Sequence, residues 1–176
     1  LVVSFGADFL ETFQSPTEFT RDHAGQRRVR NGSKGRFIQI EPRLSLTGAS
    51  ADAWYGVTPE TEGLIAAAMI QVIISEQRAQ GVADDLIVRI AELVADTAPE
   101  QVANQTGISA ERIRELARAF SDPSLGAGRT LAVGGGVGVS GSKATATQMA
   151  IALLNYVAGN IGATVDFSEA SSIRSS

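Results

Sequence analysis

Four short apolar runs, each followed by a stretch with helical periodicity, constrain the fold of this chain more than any other feature. Leu1-Val2-Val3-Ser4-Phe5 reads as a buried strand that turns at Gly6. Ser15 before Pro16 marks a helix start, an N-cap followed by a first-turn proline, and that helix should stop before Asn31-Gly32-Ser33-Lys34-Gly35. A second strand is expected over 36–41 and a shorter third over 53–57. The strongest helix should run from about Glu60 to Gln80, because Leu64, Ala67, Ala68, Ile70, Ile73 and Ile74 make a wide apolar face and Gly81 punctuates its end. Two or three more helices fit between Ala83 and Ala119, the best marked by Ser109 and the stripe Ile113, Leu116, Ala117, Phe120. A fourth strand over 130–133 runs into a glycine loop, and a last amphipathic helix covers 143–158.

Such alternation implies an α/β fold: a mainly parallel sheet with helices on both faces, a Rossmann-like three-layer domain over residues 1–166. Residues 167–176 are polar and Ser-rich and read as a tail or linker. Because the chain opens directly on a strand, without an initiator Met or leader, it reads as excised from a larger subunit. Composition narrows the function. A net charge of −4 and a pI near 5.0 disfavour a nucleic-acid partner. No apolar run reaches the roughly 18–20 residues of a membrane span. With no Cys and His23 as the one histidine, no metal centre is expected in this segment, and any metal or cluster chemistry must sit elsewhere.

In a parallel sheet, ligands bind at the carboxyl ends of the strands, and the distinctive residues lie there. The first strand leads into Gly6 and Asp8, with Gly6 free to let a ligand approach the backbone. The second delivers Glu41-Pro42-Arg43. The third delivers Pro59-Glu60-Thr61-Glu62-Gly63 onto the start of the long helix. A carboxylate so placed can accept two hydrogen bonds from a guanine edge or a ribose diol. The plainer readings are that Glu60 and Glu62 sit in a first helical turn favoured by the helix dipole, and that Glu41 pairs with Arg43 on the surface. Gly136, Gly138 and Gly141 satisfy GxGxxG, but no full βαβ unit with a downstream acid follows, so a packed turn is the better reading. Arg27-Arg28-Val29-Arg30 with Lys34 and Arg36 reads as a solvated helix end, His23 as a surface residue, and Trp54 as core or interdomain packing. Ser4, Ser45 and Ser140 have no base nearby in sequence, so no catalytic residue is assigned.

Taken in order, Gly6-x-Asp8, then Glu41-Pro42-Arg43 followed by Ser/Thr and Ala51-Asp52, then Pro59-x-Thr61-Glu62-Gly63, resembles the molybdopterin oxidoreductases of the dimethyl sulfoxide reductase type. The end is similar too, in Leu154-Asn155 and then Gly159-Asn160-Ile161-Gly162. Within that family, Phe5-Gly6-Ala7-Asp8-Phe9-Leu10-Glu11-Thr12, Ser15-Pro16 and Ile38-Gln39-Ile40-Glu41-Pro42-Arg43-Leu44-Ser45-Leu46-Thr47 most resemble the iron-sulfur, molybdopterin-like subunit of alternative complex III, a bacterial quinol-oxidising complex.

The resemblance implies a domain of a respiratory electron-transfer oxidoreductase on the periplasmic side of the cytoplasmic membrane. Its partners would be the other domains of the parent subunit and further subunits of the complex, and iron-sulfur clusters would sit elsewhere in that subunit. Working members carry molybdopterin guanine dinucleotide, which the motif places near Gly6, Asp8, Glu41, Arg43, Thr61 and Glu62. The departures disfavour it here. Asp8 stands where Asn is usual, Glu41 where Asp is usual, and Glu60-Thr61-Glu62 where the family has Gly-Thr-Asp, so donors and space give way to bulk and negative charge. The implied role is structural, with the cofactor site degenerate. The alternative is a working dinucleotide domain with Gly6, Glu41, Arg43 and Glu62 at the guanosine end.

Overall fold

The computed structural model describes residues 1–29, 32, 34–125, 129–136 and 140–167. Its centre is a four-stranded sheet in the order β3-β2-β1-β4, with β1 Val2–Phe5, β2 Phe37–Glu41, β3 Ala53–Gly56 and β4 Leu131–Gly134. Every pairing is parallel, with Val3 opposite Ile38 and Ala132, and Ile40 opposite Tyr55. Each strand lies within one residue of its expected bounds. Around the sheet run α1 Pro16–Gln26, α2 Leu46–Ala49, α3 Glu62–Ser75, α4 Asp84–Leu93, α5 Pro99–Thr106, α6 Ala110–Phe120 and α7 Ala144–Val157. The α/β architecture expected from the alternation is the one observed.

Strand side chains alternate between two layers. Val3, Phe5, Ile38, Ile40 and Ala132 point into the main core, where they meet Ile65, Met69 and Ile73 of α3, Leu116 and Phe120 of α6 and Leu154 of α7. Because α3 packs against α5, α6 and α7 as well as the sheet, it is apolar nearly all round rather than on one stripe. Gly63 permits the α3–α7 approach, since a Cβ there would lie 2.7 Å from Thr147 Oγ1. The opposite face carries Val2, Phe37 and Val133, covered through an edge-to-face cluster of Phe9, Phe13, Phe19 and His23. His23 is therefore not a fully solvated surface residue. Its ring is half-buried, with its centroid 5.1 Å from Phe37.

One helix end differs from expectation. The long helix does not reach Gly81. It ends after Ser75, where Gln77 adopts φ 54° and the amides of Gln77 and Arg78 bond to the carbonyls of Ile74 and Ile73 at 3.0 and 2.8 Å. This is a Schellman stop with Gln in the place glycine usually takes, so no glycine signalled it. The start of α1 also differs in chemistry, because Ser15 is the N-cap but makes no side-chain capping bond. Ser109 does cap α6, accepting from the Arg112 amide. The basic cluster is partly organised: Arg27 and Lys34 both pair with Asp52, which also accepts from the Phe37 amide at 2.8 Å. Burial would raise the Asp52 pKa, but these three donors outweigh it and hold the carboxyl well below the usual range. Arg30, Asn31, Ser33 and Gly138 of the glycine pattern lie outside the described residues.

The outer edge of β4 is closed by side chains. Asn155 of α7 accepts from the Ala132 amide at 2.9 Å and donates to the Ala132 carbonyl at 2.8 Å, as a neighbouring strand would. Asn160 donates to the same Asn155 oxygen and accepts from Thr130 Oγ, each at 3.1 Å. Thr164 Oγ donates to the Thr130 carbonyl at 2.7 Å.

Candidate functional site

All four strands are parallel, so their carboxyl ends share one edge of the sheet, and Gly6 and Glu41 meet there. Gly6 takes φ 72° and its amide bonds to the Ile40 carbonyl at 2.8 Å. Gly6, Asp8, Thr12, Glu41, Pro42, Arg43 and Ser45 line a cleft of about 40 Å³. Four of the six expected site residues are thus brought together, whereas Thr61 and Glu62 do not line this cleft.

Glu41 is 4% exposed and accepts four hydrogen bonds: from Gln39 Nε2 at 2.9 Å, the Ser45 amide at 2.8 Å, Ser45 Oγ at 3.0 Å and Trp54 Nε1 at 3.1 Å. The expected surface pair with Arg43 is not formed. Arg43 is exposed and joins no ion pair among the described residues. The Ser45 hydroxyl also accepts from the Gly48 amide, so Glu41 organises α2, a turn absent from the sequence reading. Gly48 is required by that packing, because a Cβ would lie 2.2 Å from Glu41 Oε1. Trp54 is neither core nor fully solvated: it is 40% exposed and gives its one N–H to Glu41. Asp8 is also 4% exposed. Its Oδ1 accepts from Thr47 Oγ1 at 2.6 Å, while Oδ2 has no partner. Sequence reasoning missed Gln39, Ser45 and Thr47. The one available signal was period two, which puts Gln39 and Glu41 on the same face of β2.

A second group of residues lies where α3 begins. Glu60 is outside the helix, in a left-handed conformation with φ 62°, rather than in its first turn. Its carboxylate crosses to the loop after β4, where Ser142 Oγ donates to it at 3.1 Å and a Cβ on Gly141 would lie 1.9 Å from it. Glu62 does open the helix but is 1% exposed, with Oε1 unpartnered, so it is not a solvated first-turn acid. Burial, reinforced by the Glu60 charge, pushes the Glu62 carboxyl up from its ordinary pKa against the pull of the Glu62 and Thr61 amides. The Thr61 hydroxyl bonds to the Thr58 carbonyl at 2.6 Å. In the loop after β4, the Phe13 ring sits against Gly136, where a Cβ would meet it at 2.8 Å. Among the described residues, no three of His, Cys, Asp and Glu form a group able to hold a metal, and no helix is long and apolar enough to cross a membrane.

A parallel α/β domain with polar residues gathered at the carboxyl edge of its sheet is a ligand-binding class of architecture. Comparison with known proteins narrows that class. The chain is 30% identical over 122 residues to the menaquinone reductase molybdopterin-binding-like subunit of Nitratidesulfovibrio vulgaris, covering 68% of this chain and 17% of the relative. It is 31% identical over 188 aligned positions to the probable dimethyl sulfoxide reductase chain YnfF of Escherichia coli, covering 92% and 22%. Its fold matches acetylene hydratase from Pelobacter acetylenicus with a TM-score of 0.70 at 22% identity, over 90% of this chain and 21% of that one. No family model matches the chain. The resemblance to the molybdopterin oxidoreductases read from the motifs is therefore borne out, and the chain spans about a fifth of the length of the relatives it matches.

Proposed function

We propose that the chain is a structural and assembly domain of a molybdopterin-oxidoreductase-like subunit in a bacterial respiratory electron-transfer complex, with its cofactor site degenerate. The observation that carries this reading is Glu60. It stands where the resembling family has glycine, keeps the left-handed backbone that favours glycine, and lodges its carboxylate against Gly141 and Ser142. Together with Asp8 and Glu41 it adds negative charge where an anionic dinucleotide needs donors and cations. A cleft of about 40 Å³ is also far smaller than a nucleotide, which needs several hundred. On this reading the residues present do not fit molybdopterin guanine dinucleotide. The name of the menaquinone reductase relative, a molybdopterin-binding-like subunit, supports membership of a quinone-linked complex and the nearness to alternative complex III. On this reading the iron-sulfur clusters, other domains and partner subunits lie beyond the chain, on the periplasmic side of the membrane.

The dimethyl sulfoxide reductase relative supports the second reading, a working dinucleotide domain, and the unpartnered Oε1 of buried Glu62 is the acceptor it would use. Titration calorimetry with guanosine diphosphate separates the two. The structural reading expects a Kd no tighter than about 1 mM, near −4 kcal/mol. Glu60→Gly with Asp8→Asn should tighten it by removing bulk and charge. Saturable low-micromolar affinity in the unaltered chain overturns the structural reading.

A further inference from the structure

Parallel strands that end at one edge of the sheet begin at the other, and this amino edge gathers cations from distant parts of the chain. Arg36 leads into β2, and its carbonyl accepts from the Val2 amide at 2.8 Å. On the other side of β1 the Leu131 amide bonds to the Leu1 carbonyl at 3.0 Å, with Arg129 just ahead of β4. β2 and β4 are two interstrand spacings apart, about 10 Å, so Arg36 and Arg129 flank the start of β1. Arg27 and Arg28 follow the last turn of α1, and the pairing of Arg27 and Lys34 with Asp52, the residue before β3, fixes them at the same edge. Arg28, Arg36 and Arg129 are exposed and join no ion pair among the described residues. Five cations and one carboxylate thus share one edge of a chain whose net charge is −4, which leaves the rest of the molecule rich in acids. Like charges gathered in this way repel one another, a cost that acids from outside would relieve.

We propose that the amino edge of the sheet docks a short acidic segment of a partner protein, its carboxylates taken by Arg28, Arg36 and Arg129. The side chains favour carboxylates, because a guanidinium is a planar fork that bonds to both oxygens of one, and all three cations left outside ion pairs are arginines. The distribution of charge limits the length of the partner. A nucleic acid or an anionic bilayer is an extended polyanion and would meet the acid-rich remainder of the molecule beyond this edge, whereas a run of a few Asp or Glu ends where the cations end. Nor do the cations stand around a phosphate site built from backbone amides, since they gather at the C-terminal end of α1, whose free groups are carbonyls. Docking here is independent of whether a dinucleotide binds at the opposite edge.

The test is the fluorescence anisotropy of a labelled hepta-glutamate peptide titrated with the chain at low and at raised salt, about 50 and about 300 mM sodium chloride. Binding should be weak, with a Kd on the order of 100 µM at the lower salt, as for several exposed ion pairs acting together, and about tenfold weaker or more at the higher. Arg28→Glu with Arg36→Glu should abolish it. Arg89→Glu with Lys143→Glu, the same change of charge at exposed positions on α4 and before α7, should weaken it less than about threefold, because distant exposed charges are screened. No binding at the lower salt, or equal loss in the two double variants, overturns the proposal. Vesicles of phosphatidylcholine with phosphatidylglycerol are tested alongside: a chain that sediments with them through Arg28 and Arg36 and ignores the peptide has a lipid surface as its partner, which overturns it as well. Should Arg28→Glu with Arg36→Glu fail to fold, Arg36→Gln and Arg129→Gln decide, each expected to weaken binding about threefold as one exposed pair is lost, and unchanged binding in both refutes the site.

Discussion

Single residues show where the sequence could be read and where it could not. The acid at Glu60 was legible as a departure from glycine, but its left-handed backbone and its reach to Ser142 depend on where the loop after β4 falls, some 80 residues later. A non-glycine residue in that region costs roughly 1–2 kcal/mol. His23 was misread because the helix carrying it is polar, and only folding brings Phe9 and Phe37 onto its ring. Burial lowers its pKa, as does Arg27, and Asp52 only partly opposes them. The unfolded chain therefore binds the proton more tightly than the folded one, so the stability tied to neutral His23 is complete above its ordinary pKa of about 6.5 and declines as pH falls below it. Urea midpoints between pH 7 and pH 5 should fall for the unaltered chain and fall less for His23→Phe. Parallel curves would show that His23 contributes nothing.

Among the elements, strands proved easier to read than helix ends. Runs such as Phe37-Ile38-Gln39-Ile40 announce themselves by composition, whereas α3 stops at a Gln in a glycine role and α2 exists because Glu41 holds the Ser45 amide and hydroxyl. The Leu154-Asn155 and Gly159-Asn160-Ile161-Gly162 segments were recognisable as a pattern without a reason. The structure supplies one, since both asparagines stand in for a missing neighbour of β4. Removing Asn155 leaves the Ala132 amide and carbonyl buried without partners, at about 1–3 kcal/mol for each unsatisfied group. Asn155→Ala should accordingly lose about 2–4 kcal/mol in urea unfolding and associate through the opened strand. A loss under about 0.5 kcal/mol, the range of an ordinary surface change, would mean that the cap is dispensable.

At the scale of the whole molecule, the order of elements was readable because a 2.0 period and a 3.6 period alternate cleanly, while the cleft was only partly readable: Gly6, Asp8, Glu41 and Arg43 line it, and Thr61 and Glu62 do not. A chain without Cys and with a single His should emerge from purification colourless, and elemental analysis should find neither iron nor molybdenum at one atom per chain; finding either would require ligands of another kind. One consequence follows from β1 lying between β2 and β4. β1, the first of these four strands in chain order, acquires its first neighbour at Phe37–Glu41 but must wait for Leu131–Gly134 to acquire its second. At about 5–20 residues per second that interval is on the order of ten seconds. Throughout it, Val3 and Phe5 have one bare flank, so the pairing that completes the sheet around β1 is one of long sequence separation and closes last.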